Sequence, residues 1–325
     1  MRYNWVWKKR NYYMLRLGQA ISRGFRRSYR KMRLVASPEK AGDALLIAGP
    51  FVGELGYEIG EWMPFVKYMS DTLQAKVHVF TRKGHEVLYP FAETFHAYEF
   101  PMDHVYNNWL YKCTDSENTL FESLVRKTGE YSEEHPNPKQ QIFYETADST
   151  RRDTHFKNRK NVIITAPQAS IRTWKDTLPG SKKVVLVCRF LKRGMERNSD
   201  LEQINKLADY VKGIGYTPIL VGKTDENFTI DVKHGINLIN RTTLADLVAI
   251  YRQSSVIVGN STGTIHLAAA CDVPHITWGS TFTDDTVIRR YQRDWNLNHT
   301  WVRFLSKEWQ VPFDIIIKAI EDALL

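Results

Sequence analysis

Four short apolar runs in the second half of the chain, 182–188 (KKVVLVC), 217–222 (TPILVG), 255–260 (SVIVGN) and 275–279 (HITWG), leave little freedom in how it folds. Each is rich in β-branched residues and too short for a helix, so each reads as a buried strand. The segments between them carry helix signals. Leu201, Ile204, Leu207, Ala208 and Val211 share one helical face after Asp200, with Gly213 and Gly215 at its end. Leu244, Leu247, Val248 and Tyr251 repeat the pattern after Thr243, and a small-residue helix runs from about Thr264 to Cys271. Strands alternating with helices at this spacing require right-handed crossovers, hence a parallel sheet with helices on both faces. Its ligands belong at the carboxyl ends of the strands.

The first half repeats the theme less sharply. Residues 44–49 (ALLIAG) and 76–80 (KVHVF) read as strands, 161–167 (NVIITAP) as a closing strand, and 133–141 (EEHPNPKQQ) as an exposed loop. A chain of 325 residues with 43% hydrophobic content suits two α/β domains. The expected organisation is an extension over 1–37, Rossmann-like domains over 38–170 and 171–300, and an amphipathic helix within 301–325. A cleft between two such sheets is the usual place for a ligand.

Charge is concentrated at one end. Residues 1–37 hold eleven of the 45 Lys and Arg and no acidic residue, so the rest of the chain balances 34 basic against 36 acidic groups. Met14, Leu17, Ile21, Phe25 and Met32 form a helical stripe among these arginines, behind Trp5, Trp7, Tyr12 and Tyr13. A basic amphipathic helix with interfacial aromatics suits an anionic membrane surface. The same charge suits nucleic-acid phosphates, and a third reading packs the stripe on the body and leaves the arginines solvated. No apolar run reaches the roughly 18 residues needed to span a bilayer, and the N-terminus does not read as a secretory signal. The expected location is the cytoplasm, peripheral to the inner face of a membrane if the leader binds one. Cys113, Cys188 and Cys271 are widely spaced with no C-x-x-C pair, which points to reduced structural thiols.

Two loops attract attention as chemistry. Residues 45–65 (LLIAGPFVGELGYEIGEWMPF) follow a strand with Gly49, Gly53, Gly56 and Gly60, and Glu54, Glu58 and Glu61 share a face if the segment is helical. In 258–280 (VGNSTGTIHLAAACDVPHITWGS) a strand runs into Ser261, Thr262, Gly263 and Thr264 and at once into a helix. Backbone N–H groups at a helix start, with flanking hydroxyls, form a phosphate site; simple helix capping is the alternative. His266 one turn later reads equally well as a core histidine. Neither an Asp-x-Asp triplet nor a histidine cluster is present in the body, so no metal and no other cofactor is expected.

The run Ser261-Thr262-Gly263-Thr264-Ile265-His266-Leu267-Ala268, followed by Val273-Pro274, resembles the donor-binding segment of the heptosyltransferase-like glycosyltransferases. Their pattern is Asp-Ser/Thr-Gly-x-x-His-Leu-Ala before a Val-Pro strand, with Asp where this chain has Ser261. The likeness covers about residues 182–282 well and the first half weakly. It implies a GT-B fold, two Rossmann-like domains facing a cleft, with the acceptor on the first domain, the sugar nucleotide on the second, and the C-terminal helix returning to the first. It further implies that Arg189, Lys192, Arg193 and Arg197, after the strand ending at Cys188, bind donor phosphates together with Ser261, Thr262, Gly263, Thr264 and His266. The family's Gly-Asp pair corresponds to Gly53-Glu54, making Glu54 the base, with Glu58 or Glu61 as substitutes and Gly56 in the acceptor-side loop. The implied reaction is inverting, metal-independent transfer of a hexosyl or heptosyl group to a glycan or lipid-linked hydroxyl. Transfer to modified DNA bases, a non-catalytic binding protein, and a sugar-nucleotide epimerase or hydrolase are the rival readings.

Overall fold

The computed structural model describes residues 44–100, 115–137, 139–143, 158–192, 194–225 and 230–325; the extension 1–37, Cys113 and Arg193 lie outside them. Two parallel sheets organise the chain. In the first, β1 (Leu45–Ala48), β2 (Lys76–Arg82), β3 (Thr94–Tyr98) and β4 (Gln140–Phe143) stand in the order β3-β2-β1-β4. The second comprises β5 (Lys183–Phe190), β6 (Thr217–Thr224), β7 (Ile236–Asn237), β8 (Val256–Asn260), β9 (His275–Trp278) and β10 (Val302–Phe304). Their order is β10-β9-β8-β5-β6-β7. Each order reverses once, between β1 and β4 and between β5 and β8, and such reversals open the crevices where doubly wound sheets hold ligands. This is the GT-B architecture.

Helices connect the strands as the periodicity requires. The first crossover is α1 (Leu55–Tyr57), a π-helical turn (Glu58–Trp62) and α2 (Met63–Leu73). Next come α3 (Asp115–Glu134), α4 (Gln168–Thr177), α5 (Leu201–Gly213) and α6 (Leu244–Tyr251). They are followed by α7 (Gly263–Ala270), α8 (Thr286–Arg289) with a second π turn (Arg290–Asp294), and α9 (Phe313–Leu324). The Asp200 carboxylate caps α5 by accepting from the N–H groups of Glu202 and Gln203. Thr243 and Asp246 form a capping box at α6, and Asp246 also accepts from the Trp174 indole at 2.8 Å, tying α4 to α6.

The period of two along β5 sorts its side chains between two cores. Val185 and Val187 join a cluster with Leu46, Ala48, Val77 and Val79 of the first sheet, so that core is common to both lobes. Val184, Leu186, Cys188 and Phe190 face Ile204, Leu207 and Val211 of α5 and Ile316, Ala319 and Ile320 of α9. This second cluster corrects the expected place of the C-terminal helix. Its apolar stripe covers the outer face of the second sheet, against α5, β8 and β9, where that face would otherwise meet water. A second correction concerns 161–167, which belongs to neither sheet. Val162, Ile164 and Ala166 are buried and their neighbours exposed, as in a strand, but Ile164 N–H donates to Ala270 O and Val162 O accepts from the Asn298 side chain. Cys188 and Cys271 are free and buried, and burial pushes both thiols up to about 12. No helix among the described residues is long and apolar enough to cross a membrane.

His275, on β9, is fully buried, with Nδ1 3.2 Å from Val273 O and Nε2 unpartnered. Burial lowers its pKa from 6.5 to about 4. The unfolded chain therefore binds a proton before the folded one does, so this contribution is complete above pH 6.5 and is lost as pH falls toward 4. The expected loss is about 3 kcal/mol. Urea denaturation of wild type and His275→Leu at pH 7 and pH 4 should show a smaller loss in the variant.

Candidate functional site

Loops from the carboxyl ends of β5, β8 and β1 converge. The basic loop after β5 is laced from within: Arg189 Nη1 donates to Gly194 O at 2.8 Å and to Asn198 Oδ1 at 2.6 Å. Asn198 in turn donates to Leu191 O at 2.9 Å. Arg189, expected among the phosphate ligands, thus shapes the loop. Lys192 is exposed, and Arg197 reaches across the β5/β8 crevice, where Nη2 donates to Ser261 O at 3.2 Å. Asn260 returns a bond to Arg197 O at 3.1 Å, and the Arg197 guanidinium lies 5.2 Å from the Trp309 ring. The two loops therefore hold each other.

Beyond β8, Ser261 Oγ accepts from the Tyr291 hydroxyl at 3.0 Å, and the hydroxyls of Thr262 and Thr264 bond each other at 2.9 Å. Thr262 is the N-cap residue of α7, yet its side chain makes no capping bond. The positive end of α7 follows directly on the loop whose Ser261 O accepts from Arg197. His266 is stacked on Tyr291, centroids 4.1 Å apart, and edge-on to Trp295 at 4.6 Å. Burial, helped by the charges of Arg290 and His275, holds its pKa well below the ordinary value, so the imidazole is neutral.

Gly53 is buried after β1, and half-buried Glu54 occupies the N-cap position of α1 in an extended conformation. The residues after it touch α7. A β-carbon on Gly263 would lie 2.9 Å from Gly56 N and 3.1 Å from Leu55 Cβ, and one on Gly60 would lie 2.2 Å from the Trp295 ring. Glycine at these positions lets the two lobes meet backbone to backbone and backbone to ring.

Glu54, Glu58 and Glu61 do not share an exposed face: Glu58 N–H donates to Glu54 O at 3.1 Å across an ordinary helical turn, yet Glu58 is fully buried while Glu54 and Glu61 are half-buried. Glu58 points inward and is fully buried, so it is corrected from candidate base to structural anion. Oε1 accepts from Tyr89 at 2.7 Å; Oε2 accepts from Arg82 at 2.5 Å and lies 2.7 Å from His85 Nδ1. Burial alone would raise its pKa, but the charges of His85 and Arg82 with these hydrogen bonds bring it down to about 2. Half-buried Glu61 lies in the field of Arg159, which donates to Gly60 O at 3.0 Å. Arg82, His85, Tyr89, Tyr291 and Trp295 were invisible to motif reading, since each acts through partners distant in sequence.

Residues 123–303 match the model of glycosyltransferase family 9 (heptosyltransferase). Among solved structures, the glycosyl transferase family 9 protein of Veillonella parvula superposes with a TM-score of 0.60 at 10% identity, covering 87% of this chain and 98% of that one. The E. coli ADP-heptose lipopolysaccharide heptosyltransferase II gives 0.58 at 13% identity, with 86% and 98% covered. An E. coli heptosyltransferase solved with ADP gives 0.50 at 13%, with 86% and 99% covered. At such identities the likeness is one of fold. No curated protein matches the chain.

Glu58→Gln leaves Arg82 buried without its counter-charge and should cost about 3–5 kcal/mol in urea denaturation at pH 7. Because the folded pKa of Glu58 is depressed, its contribution is complete above pH 4.5 and is lost as pH falls toward 2; the variant should lack that acid limb. Gly60→Ala forces Trp295 off its seat and should cost about 1–3 kcal/mol by the same measurement.

Proposed function

We propose that this chain, which belongs to glycosyltransferase family 9, moves a hexosyl or heptosyl group from a nucleoside-diphosphate sugar to a hydroxyl of a cell-surface or lipid-linked glycan. The observation that carries the reading is the contact of Leu55 and Gly56 with Gly263. It sets Glu54, the candidate base, one residue from the start of α7, the candidate anion site. Those two functions must be neighbours if a hydroxyl is to attack a carbon bonded to a diphosphate.

The donor diphosphate lies against the N–H groups that open α7, the hydroxyls of Thr262 and Thr264, and the cations Arg197 and Lys192. Arginine's planar fork matches phosphate oxygens, and lysine adds a point charge. The Arg197 guanidinium and the two threonine hydroxyls are held by protein hydrogen bonds before the charge on the leaving diphosphate develops, which is the condition for electrostatic catalysis. Glu54 takes the proton as the acceptor oxygen bonds to the anomeric carbon. The bond from that carbon to the diphosphate oxygen breaks, and the diphosphate leaves with the electron pair. Attack opposite the leaving group inverts the centre, and the basic groups supply the neutralisation without a metal ion. His266, neutral and stacked, orients the helix start and is not a proton carrier at neutral pH. The heptosyltransferase names of the family and of two similar structures support a heptose-type donor. The leader of eleven cations serves to hold the enzyme at the cytoplasmic face of an anionic membrane, where a lipid-linked acceptor is found.

Glu54→Gln should lower the transfer rate about 10²- to 10⁴-fold while donor binding persists. In a thermal-shift panel of nucleoside diphosphates, one should raise the wild-type midpoint as RT ln(1 + [L]/Kd), and Arg197→Ala and Thr262→Ala should lose that response. Full transfer by Glu54→Gln would remove the assigned base, and silence of the whole panel would remove the donor reading.

A further inference from the structure

Arg290 opens the second π turn, at the seam between the lobes. Its guanidinium lies 4.4 Å from the ring of Trp295, 4.8 Å from Phe282 and 5.0 Å from Tyr57. Tyr57 belongs to the glycine-rich loop of the first lobe, three residues after Glu54, while Trp295 packs on Gly60 and His266. Ring faces beneath the guanidinium carbon attract its charge but take up none of its five N–H donors as a hydroxyl or carboxylate would. One nitrogen, Nη2, bonds the Tyr57 hydroxyl at 3.1 Å. Among the described residues Arg290 forms no ion pair, whereas buried Arg82 is given the carboxylate of Glu58. Phe282 is 37% exposed, so the cage is open to water on that side. A cation stripped of part of its water and left without a counter-charge is costly unless something supplies one.

We propose that Arg290 is an oxyanion-binding residue: its free N–H edge takes a phosphate-class group of a substrate at the junction of the two lobes. Held between Tyr57 and Trp295, the fork is oriented before the anion arrives, and it joins the acceptor-side loop to the donor-side helix through one charge. The identity of the anion rests on the transferase reading above; its presence does not. Two sources carry this chemistry, the donor's diphosphate and a phosphate on the acceptor glycan. Arg290 also contributes to keeping His266 neutral, so the same charge serves both roles.

The test uses the full chain and two probes, ADP and inorganic pyrophosphate, titrated at constant ionic strength and read by thermal shift and calorimetry. Arg290→Gln should weaken pyrophosphate binding about 10- to 100-fold, the worth of a charge-assisted hydrogen bond. Arg290→Lys, which keeps the charge and loses the fork, should fall between. Tyr57→Phe, which removes only the hydroxyl contact, should stay within about 3-fold of wild type. If ADP affinity falls in parallel in Arg290→Gln, the anion is the donor's diphosphate. If ADP affinity is unchanged, and pyrophosphate still binds ADP-saturated wild type but not ADP-saturated Arg290→Gln, the anion belongs to the acceptor. Pyrophosphate binding by Arg290→Gln equal to wild type would overturn the proposal, as would an equal loss in Tyr57→Phe, which would make Arg290 only a clasp between the lobes. Absence of pyrophosphate binding in wild type overturns it as well. Pyrophosphate binding without any nucleoside diphosphate binding would instead count against the transferase reading and leave the comparison between wild type and Arg290→Gln decisive.

Discussion

The seam between the lobes rests on the absence of side chains. A β-carbon at Gly60 would overlap the Trp295 ring, and one at Gly263 would press on Gly56 N. With hydrogen at these positions, the loop after β1 and the start of α7 come into van der Waals contact, and Trp295 can reach both Tyr57 and His266. Close packing makes such a seam a defined geometry, since a methylene more or less is felt by every neighbour. The proximity of the glutamate-bearing loop to the start of α7 follows from this one constraint. So does the placement of Arg290 between rings drawn from both lobes.

Charge is treated differently on the two sides of the seam. Glu58 is withdrawn from water and surrounded by Arg82, His85 and Tyr89, so it behaves as a permanently ionised strut beneath the glycine-rich loop. Removing one partner of such a cluster is expensive, which makes the π turn a rigid platform for Glu54. The cations at the crevice are arranged otherwise. Arg197 keeps one bond to Ser261 O, and Arg290 keeps one to Tyr57; both are oriented by aromatic rings and neither is given a carboxylate among the described residues. Oriented but uncompensated positive charge is what the proposed diphosphate site requires.

Much of the second lobe was legible because its signals are local and periodic. The runs that became β5, β6, β8 and β9 are short, apolar and separated by helices, two of them capped by Asp200 and Thr243, and the hydroxyl loop before α7 stood out by composition. The first lobe was harder. β1 and β4 have four residues each, β3 is half-exposed along its length, and 161–167 alternates like a strand while its backbone bonds go to Ala270 and Asn298. The C-terminal helix showed its apolar stripe plainly, but which sheet face lacked a cover was not a local property. Tyr291 and Trp295 show no periodic signal; they matter through Ser261 and Gly60, 30 and 235 positions away.

By itself, the amino-acid sequence determined the parallel α/β architecture, the strand that feeds a hydroxyl-flanked helix, and the glycines and carboxylates of the loop after β1. These follow from dihedral preference, side-chain period and turn chemistry, which act over a few residues. Tertiary structure decided which carboxylate is withdrawn from water. Glu54 and Glu58 are the same residue type one helical turn apart, yet Glu58 is fully buried against Arg82 and His85 while Glu54 stays half-buried at the start of α1. Proton affinity depends on desolvation and on charges brought in from distant strands, and those are properties of the folded assembly alone.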